Sequence, residues 1–316
     1  MPEVTRDVKK ANVRELIEKN KSTINMNKIF EVAMPKILLG IAIISVLTTI
    51  GIILTLVTET VEFFTRVPFF EFFTGTELRP LSQNPQFGIL PLLAGTLMSS
   101  LIAMCVAIPI GLMSAIYLSE YATEKVRKVL KPILEILAGI PTIVYGFFAL
   151  TFVTPLLRSF MPGLEPSNIL SPGIVMGIMI IPMVASLSED AMSSVPKTMR
   201  EGALALGATK LEVSWKVVVP AAMSGIIASF VLAISRAIGE TMILTIASGS
   251  SKNFTFDVTQ SIQTMTAYIV EVTGGDAPAG STLYYSLYAV AMTLFVFTLV
   301  MNLLAQYISR KFREEY

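Results

Sequence analysis

Two charged side chains stand deep in an apolar stretch of this 316-residue chain, Arg236 and Glu240 in the run SRAIGETM. On a continuous helix a separation of four residues puts both on one face, one turn apart, where they can pair directly or share a water. Left unpaired in hydrocarbon, each costs roughly 3 kcal/mol. The pair therefore belongs against protein or an aqueous path, and Gly239 beside it lets another helix come close. Two readings stand side by side: a buried ion pair that fixes helix register, or part of an anion path or gate, since a guanidinium fork suits oxyanions. Other chemistry is excluded by composition. There is no histidine, so the commonest metal ligand and general base are missing, and the single Cys105 can build neither a disulfide framework nor a metal cluster. Its place in an apolar run suggests a packed small hydrophobe. No phosphate-cradling G-x-x-x-x-G-K-[ST] loop occurs. No nucleotide site, cofactor, metal or catalytic centre is expected within the chain.

The second notable stretch runs from Glu201 to Pro220, EGALALGATKLEVSWKVVVP. A helix-favouring cluster, Glu201-Gly202-Ala203, is followed by Gly207 and then by Val217-Val218-Val219-Pro220, where a very apolar segment begins. The pattern predicts a short helix, a turn at Gly207 in a left-handed conformation, and a second helix that accepts Pro220 in its first turn. That makes a compact knob.

The elements carrying these residues are membrane spans. With 53% hydrophobic and 15% charged residues and a mean hydropathy of +0.69, the chain lacks the polar surface to cover a soluble globule. An all-α polytopic membrane protein is expected. Six segments have the required apolar length: 37–57, 87–118, 133–157, 170–187, 217–247 and 283–308. Pro109, Pro141 and Pro182 fall inside them. Residues 1–36 form a polar basic segment, 37–308 the six-span domain and 309–316 a short tail. Lys and Arg concentrate in the first segment, between spans two and three, between spans four and five, and at the C-terminus, with only Arg66, Arg79, Arg158 and Lys252 on the opposite side. The positive-inside rule thus puts both termini and the knob in the cytoplasm. A straight fifth span from Val217 would carry Arg236 about 28 Å up, toward the outer half of the membrane.

Outside the spans, Phe63, Phe64, Phe69, Phe70, Phe72 and Phe73 crowd one connection, which suits packing over neighbouring spans or anchoring at the membrane interface. The connection 248–282 is rich in Gly, Thr and Ser and reads as turns or an exposed docking loop.

The spacing of Glu201, Ala203, Gly207 and Pro220 resembles the cytoplasmic coupling loop of ABC importer permeases, E-A-A, three residues, G, nine residues, I-x-L-P. Gly202 replaces the middle alanine, and Val217 and Val219 replace the Ile and Leu. Together with GTELRP, FGILPLLAGTLMSSLIAMCVAIPIGLMSAIYLSEYA, EILAGIPTIVYGFFAL and SRAIGETM, roughly residues 72–242 resemble the C-type permease subunits of phosphate-specific ABC importers. The resemblance implies a type I ABC importer permease fold of six transmembrane helices with a cytoplasmic coupling helix, in the inner membrane. It also implies a heterodimer with a second permease, two ATPase subunits that hydrolyse ATP, an extracytoplasmic phosphate-binding protein, phosphate as substrate, lipid around the spans, and no nucleic acid. Glu201, Gly202, Ala203 and Gly207 would then couple to the ATPase. Arg236 and Glu240 match the family's charged element associated with phosphate passage, Glu240 neutralising Arg236 until an anion arrives. A permease for sulfate or molybdate, and an ATP-independent transporter or channel, are the alternatives.

Overall fold

The computed structural model describes residues 26–311, so the N-terminal segment through residue 25 and the last five residues of the tail lie outside it. The described chain is mostly helical. Five helices are long and apolar enough to cross a membrane, and a sixth span results if Lys210–Ala221 and Met223–Ile238, bent by 72° at their junction, are taken as one.

The chain divides into two units at Thr55 and Leu56. Helix α1 (Met26–Arg66) runs through that point, and in the first unit its apolar side chains, Ile37 through Ile52, are exposed on every side. A helix apolar all round belongs in lipid or against another chain.

The second unit is built on the close contact of α3 (Leu90–Ile116) with α7 (Leu170–Ser193). Small residues explain it. A Cβ at Gly173 would lie 2.8 Å from Ile102, one at Gly177 2.8 Å from the Ala103 carbonyl, and one at Gly111 2.7 Å from Val184. Without a hydrophobic driving force between helices in lipid, such interlocking surfaces hold the pair by dispersion contact. Gly173 and Gly177 form a G-x-x-x-G pattern whose backbone the partner ridge touches.

Between α1 and α3 lie α2 (Phe69–Thr74) and a hairpin, β1 (Leu78–Arg79) with β2 (Gln86–Phe87), in register Leu78 to Phe87. The phenylalanine cluster packs here: Phe63 and Phe72 are buried and meet edge-to-face at 5.4 Å, while Phe70 stays exposed. Phe87 is in the hairpin, so the second span starts at Leu90.

Several expected spans need correction. The third does not begin at Ile133, because α4 (Glu124–Ala138) stops at Gly139, and Pro141 precedes α5 (Thr142–Phe148) instead of lying inside a helix. A π turn at Ala149–Val153 joins α5 to α6 (Thr154–Phe160). The fourth span continues past Leu187 to Ser193. The fifth is not continuous: α8 (Lys197–Ala205) and α9 (Lys210–Val213) lead through a π turn at Ser214–Val218 into α10 (Val219–Ala221), then α11 (Met223–Ile238) and, after a break, α12 (Met242–Ala247). The connection 248–282 is not merely turns. It holds α13 (Met265–Gly274), whose Met265 and Tyr268 are buried and whose Thr264 hydroxyl caps the Ala267 amide. Helix α14 (Thr282–Lys311) completes the fold, one residue longer at its start and three at its end than the expected sixth span. Cys105 is exposed, not packed, because it shares with Leu101 a face of α3 that no described residue covers.

Gly177→Val should destabilise the purified protein by about 1–3 kcal/mol through overpacking against α3. Gly163→Ala, where a Cβ meets nothing within 4 Å, should stay within about 0.5 kcal/mol of wild type. Thermal unfolding in detergent distinguishes the two.

Candidate functional site

The knob forms as its residue types dictate. Helix α8 ends at Ala205 with Leu206 as its C-cap, and Gly207 takes a left-handed φ of 87°. The Gly207 amide then reaches the Leu204 carbonyl at 2.9 Å and the Ala208 amide reaches Ala203 at 3.2 Å, the paired closure of a Schellman turn. One residue on, Thr209 and Glu212 satisfy each other's amides in a capping box that starts α9. Pro220 occupies the first turn of α10, where its missing N–H costs nothing.

Glu201 and Gly202 are exposed, Ala203 is half-buried, and Met199 and Ala203 lean on an apolar cluster of Ile116, Met192, Val195 and Val218. The outward side is not polar throughout: Leu206 is 91% exposed, and Leu204, Leu211 and Trp215 are exposed with it. Large apolar side chains exposed this close together in sequence are suited to contact with another chain. A Cβ on Gly202 would meet nothing within 4 Å, so glycine there is no steric necessity.

Arg236 and Glu240 are not brought together. Gly239 ends α11 with Arg236 in its last turn, and the chain turns before α12, so the helical i, i+4 geometry needed for pairing does not exist. The Glu240 carboxylate instead accepts from the Met242 amide at 3.1 Å and the Ile243 amide at 3.5 Å, taking up donors that open α12. Its backbone carbonyl accepts from the Thr266 hydroxyl at 2.8 Å, tying the break to α13. Glu240 is 7% exposed, whereas Arg236 is exposed and has no hydrogen bond or ion pair among the described residues. The 72° bend also removes the straight-helix basis for placing Arg236 at about 28 Å above Val217.

Charged residues passed over in the sequence make tighter arrangements. Glu189, fully buried near the end of α7, pairs with Arg127 and with Lys131 at 3.0 Å, and Lys131 also reaches Asp190 at 2.8 Å. These contacts hold α4 to α7. The Asp190 hydrogen bond, helped by Glu189, raises the Lys131 pKa above 10.5 although burial opposes it, so this contribution to stability is complete below pH 10.5 and lost as pH rises through the raised value. Nearby, Arg200 on α8 grips Glu120 in the π turn at Tyr117–Tyr121 that prolongs α3. The available signal was Glu189-Asp190 directly after an apolar run and opposite a Lys/Arg-rich connection.

Residues 107–314 match the family described as the binding-protein-dependent transport system inner membrane component. The chain belongs to this family. The permease is 34% identical over 241 residues to the probable ABC transporter permease protein YqgH of Bacillus subtilis, covering 76% of the chain and 78% of that relative. It is 32% identical over 258 residues to the phosphate transport system permease protein PstC of Mesorhizobium japonicum, covering 75% and 77%. These relatives uphold the resemblance to C-type permeases. Among solved structures, a bacterial ABC transporter involved in the import of the acidic polysaccharide alginate aligns with a TM-score of 0.62 at 16% identity, over 91% of this chain and 100% of that one. An inward-facing MetNI methionine ABC transporter aligns at 0.53 and 17%, over 72% and 95%. At such identities the likeness is one of fold, and the fold is that of type I ABC importer permeases, multi-pass membrane proteins.

Gly202→Ala should stabilise α8 by about 0.5–1 kcal/mol, because the exposed helix interior gains propensity without a clash. Gly207→Val should cost about 1–2 kcal/mol or more, its φ being left-handed. Denaturation in detergent, followed by circular dichroism, reads both signs.

Proposed function

We propose that the chain is the transmembrane permease subunit of an ATP-driven importer of inorganic phosphate, with both termini and the knob on the cytoplasmic side. The reading joins it to a second permease in a heterodimer, to two ATPase subunits and to an extracytoplasmic phosphate-binding protein. The observation that carries it is the exposed guanidinium of Arg236 at the break between α11 and α12, unpartnered among the described residues. A cation left so in hydrocarbon costs about 2.5–3.5 kcal/mol, so its side chain faces water or a partner. Because Glu240 is engaged by the amides of α12, the fork is free for an oxyanion in this conformation. Glu240 holds the shape of the break while Arg236 meets the anion. Relatives named phosphate permeases support the choice of anion.

Energy enters at the knob. Its exposed apolar side chains Leu204, Leu206, Leu211 and Trp215, with Glu201 on the helix that bears Leu204, suit a groove on the ATPase. Closure of the ATPase pair displaces α8, and the spans convert that displacement into alternating access. Phosphate crosses chemically unaltered.

The test is uptake of labelled phosphate, with sulfate in parallel, by the complex reconstituted in vesicles with its binding protein. Arg236→Gln should abolish phosphate uptake while the complex still copurifies. Glu240→Gln keeps an oxygen for the α12 amides and should retain uptake within about threefold. Undiminished phosphate uptake by Arg236→Gln removes the assigned role, and sulfate import without phosphate import replaces the substrate.

A further inference from the structure

Arg200 uses its whole guanidinium. Nε lies 3.2 Å from each Glu120 carboxylate oxygen, Nη2 donates to Glu120 Oε1 at 3.0 Å and to the Met192 carbonyl at 2.7 Å, and Nη1 donates to the Val195 carbonyl at 2.6 Å. Both side chains are largely buried, at 18% and 9% exposure. One group therefore joins three elements: α8, which bears it, the end of α3 through Glu120, and the C-terminal end of α7 through two carbonyls. Cations at a helix C-terminus are also favoured by its dipole.

The neighbouring apolar contacts do something different. Met199 and Ala203 rest on Ile116, Met192 and Val195, and the hydrophobic attraction that holds such surfaces together is non-directional. A forked, charge-assisted pair is directional and carries pull and torque as well as push. Its far end is suited to follow. Glu120 sits in a π turn, closed by the Ala122 amide on the Tyr117 carbonyl at 2.8 Å, and π segments recur where helices serve function. A cleft of about 350 Å³ beside the joint, lined by Arg127, Lys197 and Glu201 among others, leaves room for α8 to rock.

We infer that Arg200 is a positioning residue which, through Glu120, transmits displacement of α8 to the membrane span α3. The inference rests on the importer reading. Lysine cannot replace arginine here, since a compact ammonium cannot meet both carboxylate oxygens and two carbonyls in one plane.

Arg200→Lys and Glu120→Gln are compared with wild type in vesicles containing the ATPase and the phosphate-binding protein. ATP hydrolysis and phosphate uptake are measured on the same preparation and normalised to assembled complex. In both variants hydrolysis stimulated by the loaded binding protein should stay within about threefold of wild type, while phosphate imported per ATP falls by about tenfold or more. Spin labels at the outer end of α3 should move on ATP binding in wild type and stay still in the variants. An unchanged ratio of uptake to hydrolysis, whether both are normal or both fall together, overturns the joint, as does failure of both variants to assemble, which makes the contact an anchor only. Absence of phosphate uptake in wild type overturns the importer reading instead, so the two failures are told apart.

Discussion

The close approach of α3 and α7 is the contact on which the remaining geometry depends. Lipid is as apolar as leucine, so burial in the membrane does not select one helix pairing over another. Shape does, and glycines at 111, 173 and 177 let ridges on one helix meet backbone on the other. Once that register is set, the ends of the two helices are set with it. Glu120 at the end of α3 and the Met192 and Val195 carbonyls at the end of α7 then converge on Arg200, while Glu189 and Asp190 meet the cations of α4. A shift of one turn along the contact would separate these groups by about 5.4 Å, beyond any hydrogen bond.

Broken helices set the chemical character of the fifth span. Where α11 stops at Gly239, the first amides of α12 lose intrahelical partners, and a buried carboxylate two residues before Met242 takes them up. That local demand outweighs attraction to Arg236, because leaving a buried amide bare costs about 1–3 kcal/mol while an exposed ion pair gains about 0–1, and the pair would need a helical turn that Gly239 interrupts. The result is a division of labour: one charge stabilises the backbone break and the other stays exposed.

Buried charge is spent sparingly elsewhere. Glu189 is wholly buried and reaches two cations and a serine hydroxyl, Ser193 at 2.8 Å. Removing one partner from such a group leaves an uncompensated charge, which is why these clusters rigidify the side of the bundle where the knob emerges. The opposite side is held differently, by packed phenylalanine rings and a short hairpin.

Composition and hydropathy by themselves determined that this is a helical membrane protein, because apolar length is additive and local. The knob was legible for the same reason: its glycine turn and Pro220 act within a few residues of their own positions. Tertiary structure alone decided the rest. It ended the third span's approach at Gly139 and Pro141, bent the fifth by 72°, buried α13 in a stretch whose small polar residues read as turns, and turned Cys105 outward. It also separated Arg236 from Glu240, which four-residue spacing had put on one face, and joined Arg200 to Glu120 across 80 positions. Spacing predicts neighbours only while a helix is continuous, and contacts between distant charges exist only after helix packing has set where each helix ends.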